Sequence, residues 1–185
     1  MTSLRPRIVL VANASKQGAT AEIAARLGHQ LREALPRSSW LVQVEDTDAL
    51  QTLDGYDAVV LGSAVYLGRW LKSARKLLDH TEVAPPNGLW LFSSGPASDG
   101  PHDPNLVPAA VKDAERLGAR DNILFSGRMA LEELGPVKRV LTSAMRVEGG
   151  DFRDWNVIDQ WAEGIARELM GTAELREAQT VQEES

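Results

Sequence analysis

The stretch Arg7-Ile8-Val9-Leu10-Val11-Ala12-Asn13-Ala14-Ser15-Lys16-Gln17-Gly18-Ala19-Thr20 decides the fold of this chain. Its apolar run, Ile8–Ala12, is short and rich in β-branched residues, as in a strand buried on both faces of a parallel sheet. After the polar turn, Ile23, Leu27, Leu31 and Leu35 recur every four residues, with Ala24 and Gly28 filling the same face. That spacing predicts a helix over Ala19–Leu35. A strand, a small-residue turn and a helix start together make an anion site. The first helical N–H groups have no partner, and the aligned peptide dipoles favour negative charge there. Ser15 and Thr20 offer hydroxyl donors, and Gly18 lets the backbone approach closely. The pattern predicts a bound phosphate about a dozen residues into the chain; an ordinary strand-to-helix turn capped by a hydroxyl fits it too. Neither G-x-x-x-x-G-K-[ST] nor G-x-G-x-x-G occurs, so the loop carries neither the nucleoside-triphosphate nor the dinucleotide signature. Hydroxyls and one glycine suit a phosphate monoester.

The whole chain narrows the reading. Its 185 residues, 43% of them hydrophobic, suit one domain with a full core. The absence of cysteine excludes disulfides, thiolate nucleophiles and cysteine-ligated clusters. His29, His80 and His102 are scattered and show no metal-ligand spacing. A formal charge of −6 argues against nucleic acid as a partner. Neither a signal peptide nor a membrane span is visible, which predicts a cytoplasmic protein.

Strand and helix patterns alternate. Strands are expected over Arg7–Asn13, Trp40–Val44, Ala58–Ser63, Leu89–Ser94 and Ile123–Gly127. Helices are expected over Ala19–Leu35, Leu67–His80, Leu106–Leu117 and about Trp155–Met170. Such alternation implies an α/β fold, a parallel sheet with helices on both faces. One domain spans residues 1–170, and residues 171–185 form a polar tail with four glutamates and one arginine. Two long loops, 95–104 and 128–153, leave the carboxyl ends of strands, where they are candidates for site walls or a lid. The second holds a helical stretch near Val137–Met145.

Ala14–Thr20, followed by Ala21-Glu22-Ile23-Ala24, resembles the phosphate loop of the flavodoxin superfamily. Within it, the likeness is to the flavodoxin-domain proteins grouped with menaquinone-dependent protoporphyrinogen oxidase. Val60-Leu61-Gly62-Ser63-Ala64-Val65-Tyr66-Leu67-Gly68 resembles the third-strand loop of that group. Gly149-Gly150-Asp151-Phe152-Arg153-Asp154-Trp155 resembles its C-terminal pattern. The resemblance implies a doubly wound five-stranded sheet in the order 2-1-3-4-5. It also implies flavin mononucleotide, FMN, beside strands one and three, at the switch point of that order.

Such a flavin needs donors for its phosphate, flat walls for its ring, and donors where charge gathers on reduction. By resemblance, Ser15, Gln17, Gly18, Ala19 and Thr20 contact the phosphate. Lys16 either neutralises charge or stays in solvent. Ala64, Val65, Tyr66, Leu67 and Gly68 run beside the ring, where Tyr66 either stacks on it or joins the core under the next helix. Backbone N–H groups of Ser94, Gly95 and Ala97 reach the pyrimidine end, whereas Pro96 has no donor. No aromatic residue occurs between Ser93 and Leu106, which leaves one ring face open to a substrate. No catalytic side chain is required, since the flavin carries the chemistry.

The helix expected over Leu67–His80 sets Leu67, Trp70, Leu71, Ala74, Leu77 and Leu78 on an apolar face. Arg69, Lys72, Arg75 and Lys76 lie on the rest, as a solvated surface or as a basic patch for carboxylates or an acidic partner. Asp154 is expected to cap the last helix, which docks through Ile158, Trp161, Ala162, Ile165 and Leu169, with Phe152 as a staple. The whole of Gly149–Trp155 therefore reads as structural. These features predict an FMN-dependent oxidoreductase linked to protoporphyrinogen or a quinone, any membrane contact being peripheral. The alternatives are an electron-transfer module serving a redox protein and a flavodoxin-fold protein that has lost FMN.

Overall fold

The computed structural model describes residues 5–95, 102–129 and 150–183. Its strands are Arg7–Ala14 (β1), Trp40–Asp46 (β2), Ala58–Tyr66 (β3), Arg69–Trp70 (β4), Leu89–Ser94 (β5) and Asp121–Phe125 (β6). Two more short ones are Arg128–Met129 (β7) and Gly150–Asp151 (β8). Its helices are Ala19–Ala34 (α1), Lys72–Asp79 (α2), Pro108–Leu117 (α3) and Trp155–Glu183 (α4). The central sheet runs β2-β1-β3-β5-β6 with every pair along that path parallel. This is the expected 2-1-3-4-5 order once the β4 hairpin is set aside.

Residues Val9–Ala14 are buried, as a strand covered on both faces requires. Val9 and Val11 face a core layer built with Ile23, Leu27 and Leu31 of α1 and Ile158, Ile165 and Leu169 of α4. Leu10, Ala12 and Ala14 face the opposite layer, with Leu77 and Leu78 of α2 and Ala110 of α3. Each fully buried leucine in these layers stabilises the fold by about 1.5–3 kcal/mol relative to exposure. Phe92, Phe125 and Trp161 meet as a tilted and edge-on cluster, with ring centroids 5.5–6.1 Å apart. The Arg26 guanidinium donates to both Asp159 oxygens at 2.7 and 2.6 Å and so ties α1 to α4. Those bonds hold the Asp159 carboxyl below the usual carboxylate range.

The sequence expectation fails most clearly after β3. The helix expected from Leu67 begins only at Lys72. Leu67 and Gly68 both take positive φ, 51° and 71°, and turn the chain back on itself. Trp70 and Arg69 then pair antiparallel with Val65 and Tyr66. The turn also explains why Leu67 is exposed rather than part of an apolar helix face. Trp70 and Leu71 join the core layer under α2, but from the strand and the residue after it. Arg69 sits on β4, so Lys72, Arg75 and Lys76 are the basic residues that α2 carries.

Smaller differences lie at element ends. Pro104–Leu106 forms a separate 3-10 turn, and α3 begins at Pro108, whose missing N–H suits a first helical position. Strand β6 starts two residues before the expected Ile123 and stops two residues short of Gly127. Helix α4 continues past Met170 to Glu183. The β7–β8 ribbon has no counterpart in the sequence expectation, and the helical stretch 137–145 lies outside the described residues. Among the described residues, no helix is long and apolar enough to cross a membrane.

Candidate functional site

Three loops leave the carboxyl edge of the sheet side by side. The register sets Ala14 of β1 opposite Ser63 of β3, and Ala64 of β3 opposite Ser94 of β5. Segments Ser15–Thr20, Ala64–Gly68 and Ser94–Gly95 therefore start in one row. Ala97 lies outside the described residues.

The first loop ends at Gly18, which caps α1 with φ 78°, a left-handed backbone that glycine adopts freely. No side chain caps this helix. The first intrahelical bond runs from the Glu22 N–H to the Gly18 carbonyl at 2.9 Å. The N–H groups of Ala19, Thr20 and Ala21 precede that bond and are the orphan donors of the helix start. A hydroxyl cap, which the sequence left open, is absent. Thr20 is buried, Ser15 and Gln17 are half-buried, and Lys16 is exposed. The nearby Asn13 side chain is buried and donates through Nδ2 to the Glu45 carbonyl at 3.1 Å, while its Oδ1 has no partner.

Tyr66 leans over this loop rather than entering the core. The residue is 38% exposed, its hydroxyl lies 3.5 Å from Gln17 Oε1, and Lys16 Nζ stands 5.1 Å from its ring centroid. Lys16 thus sets its ammonium beside an aromatic face. Ser63 Oγ accepts from the Leu71 N–H at 2.9 Å, and Ser93 Oγ accepts from Trp70 Nε1 at 2.7 Å. These two bonds fasten the β3–β4 hairpin to the sheet. The Gly95 N–H donates to the Phe125 carbonyl at 3.0 Å, so that expected donor is already engaged.

A cavity of about 740 Å³ lies between the end of β6 and the start of α4. Ile123, Phe125, Phe152 and Trp155 give it apolar walls, and His102 and Ser126 add a polar edge at 3.1 Å from each other. Asp154 caps α4 as expected, accepting from the Asn156 and Val157 N–H groups at 3.0 and 3.3 Å.

Two arginines outside the three loops reach into the first one. Arg128 of β7 donates to the Gln17 carbonyl at 3.1 Å and to Glu22 at 3.0 Å. Arg153, just before α4, donates to the Ala19 carbonyl at 3.2 Å and pairs with Glu22 at 2.9 Å. It also grips Asp151, with Nε 2.7 Å from Oδ1. The hydrogen bonds from Arg153 hold the Asp151 carboxyl below its usual range, and those to Asp151 and Glu22 raise the Arg153 guanidinium. Sequence reasoning gave 149–155 a structural role and missed both arginines. The one local signal was Asp151-x-Arg153 ahead of the last helix; nothing near Arg128 pointed to Gln17, which lies 111 residues away.

Residues 10–155 match the family model described as a flavodoxin domain. The chain belongs to the flavodoxin domain family. No curated relative matches it. Among solved structures, a flavodoxin from the domain Archaea is similar over 88% of this chain and 99% of its own, at 15% identity and a TM-score of 0.54. Oxidised flavodoxin 2 from Bacillus cereus is similar over 89% and 98%, at 16% identity and a TM-score of 0.52. Rubredoxin oxygen:oxidoreductase from Desulfovibrio gigas is similar over 90% of this chain but 37% of its own, at 12% identity and a TM-score of 0.54. At these identities the likeness is one of fold. Within the flavodoxin domain, the structure brings Ser15–Thr20, Ala64–Gly68 and Ser94–Gly95 to one edge. The orphan donors at α1, beside half-buried Ser15 and buried Thr20, fit a phosphate monoester.

Proposed function

We propose that this flavodoxin domain, residues 1–170, binds FMN and acts as an oxidoreductase on a small reduced substrate, with a quinone-like acceptor. The observation that carries the reading is the uncapped start of α1 at left-handed Gly18, in a chain whose residues 10–155 match the flavodoxin domain. Ser15, Gln17, Gly18, Ala19 and Thr20 would hold the phosphate, with Lys16 adding charge at its edge. Ala64, Val65, Tyr66, Leu67 and Gly68 would flank the ring, and Ser94 and Gly95 would lie at its far end. FMN, when bound, supplies hydride and electron transfer. The protein's own residues fix its position and shape access to it.

The aromatic-walled cavity supports a small-molecule substrate over a pure electron-transfer module. It borders Phe125, whose carbonyl is bonded to Gly95, and its size and mixed lining suit a flat organic ligand. The sequence likeness to the protoporphyrinogen oxidase group makes a porphyrinogen the first substrate to try. Under this reading the protein works in the cytoplasm and meets a membrane quinone from the surface. An absorption spectrum of the purified protein and mass spectrometry of the released cofactor test the proposal. FMN, followed by its reduction with a porphyrinogen and reoxidation by a quinone, is the expected result. FAD, or no flavin after reconstitution, would sink it. Flavin reduction by a partner protein alone would leave the electron-transfer module as the better account.

A further inference from the structure

We propose that Arg128 and Arg153 are positioning residues for the phosphate loop: they hold its carbonyls from behind, so that its N–H groups face the ligand. This rests on the FMN reading above. In a planar trans peptide the C=O and the following N–H point in opposite directions. The Gln17 carbonyl is held by Arg128, the Gly18 carbonyl by the Glu22 N–H, and the Ala19 carbonyl by Arg153. Three successive peptides are thus pinned through their oxygens. The N–H groups of Gly18, Ala19 and Thr20 consequently point away from the arginines and from the body of α1, into the space a phosphate would take.

The same two guanidiniums answer an electrostatic problem. Glu22 sits in the first turn of α1, where its carboxylate would repel a phosphate dianion. Arg128 takes one Glu22 oxygen and Arg153 the other. Arg153 is in turn fixed by Asp151, which stands opposite Arg128 in the β7–β8 pairing. The ribbon therefore works as a frame that carries both arginines to the loop. Arg153 is almost fully buried, and the Arg128 side chain is one quarter exposed, so both bonds to the loop are shielded from bulk water.

The test compares FMN with riboflavin, which has the same ring and no phosphate. Wild-type protein is expected to bind FMN more tightly than riboflavin. Arg128→Met should weaken FMN binding by about tenfold while riboflavin affinity changes by less than about twofold. Pairing it with Glu22→Gln keeps the local charge constant and removes the Glu22 carboxylate that Arg128 pairs with, which guards against misfolding. The double variant is also expected to lose its preference for FMN, because the Gln17 carbonyl is still unheld. Recovery of the wild-type preference there would mean that charge alone matters and would overturn the positioning role. Equal losses for both ligands in Arg128→Met, or an unchanged preference, would overturn it too. A wild-type protein that binds riboflavin but does not prefer FMN would instead sink the phosphate site itself.

Discussion

Two helices start near each other on the carboxyl edge of this sheet, and their first turns are finished differently. Helix α4 is closed by its own sequence: Asp154 accepts from Asn156 and Val157. Helix α1 begins at left-handed Gly18 with no side-chain cap, and its neighbours hold carbonyls rather than N–H groups. A closed start needs only local residues, because an acceptor one turn away satisfies the orphan donors. An open start needs outside support, since its donors must stay oriented without a partner. Arg153 joins the two regions: it lies next to the α4 cap and reaches back to the α1 turn.

The largest effect is expected from Arg153→Met, which removes the link between the two helix starts. Removing the buried cation leaves Asp151 and one Glu22 oxygen without it. The carboxylates left behind are partly exposed and turn to water, so the loss should fall below the roughly 3–5 kcal/mol of a fully buried pair, to about 2–3 kcal/mol. Chemical denaturation measures it; a loss below about 0.5 kcal/mol would mark the contacts as those of an ordinary surface pair. The variant should also alter the acid limb. The folded pKa of Asp151 is depressed, so its contribution is present above the unfolded value of about 3.9 and is lost as pH falls through the folded one. Wild type should therefore lose stability below about pH 4 more steeply than the variant.

Thr20→Ala probes the open start directly. If its hydroxyl donates to a phosphate, FMN affinity should fall by about 1.5–3 kcal/mol, the range for a hydrogen bond to a charged group. Fluorescence titration that finds no change would reduce Thr20 to a buried helix residue. Asp154→Ala probes the closed start and should do the opposite. Loss of the cap costs about 1 kcal/mol of stability, seen in thermal melts, with FMN affinity unchanged. A matching loss of FMN affinity would erase the distinction between the two helix starts.

The smallest effect belongs to the rim. Charge reversal at exposed Lys72 and Lys76 of α2 should raise the KM for a carboxylated substrate without moving FMN affinity. The effect should fade with salt, because exposed charges are screened over about 10 Å at 0.1 M. Steady-state kinetics at two salt concentrations check this, and an unchanged KM leaves these lysines as solvated surface.

The sequence made the frame legible where periodicity was strong. Ile8–Ala12 and the Ile23–Leu35 repeat each report one buried face, so β1, α1 and the turn between them were readable within a residue or two. Asp154 was readable because a cap is a local event. The β3–β4 hairpin was not. Leu67 occupies a positive-φ position that favours glycine or asparagine, so the residue that makes the turn gave no turn signal. Trp70 and Leu71 kept helical spacing with Ala74 and Leu77, which disguised a strand as the start of α2. The arginine supports were beyond reach for another reason. Glu22 and Arg128 stand 106 residues apart, and only the folded sheet brings them together.

We propose that the open start of α1 holds the phosphate of FMN. The most direct measurement is a pair of titrations of the flavin-free protein, one with FMN and one with riboflavin, followed by flavin fluorescence. Orphan helix donors and supporting hydroxyls should favour FMN by at least about tenfold, the worth of one charge-assisted hydrogen bond. Equal affinities for the two flavins, or no binding of either, would contradict the account.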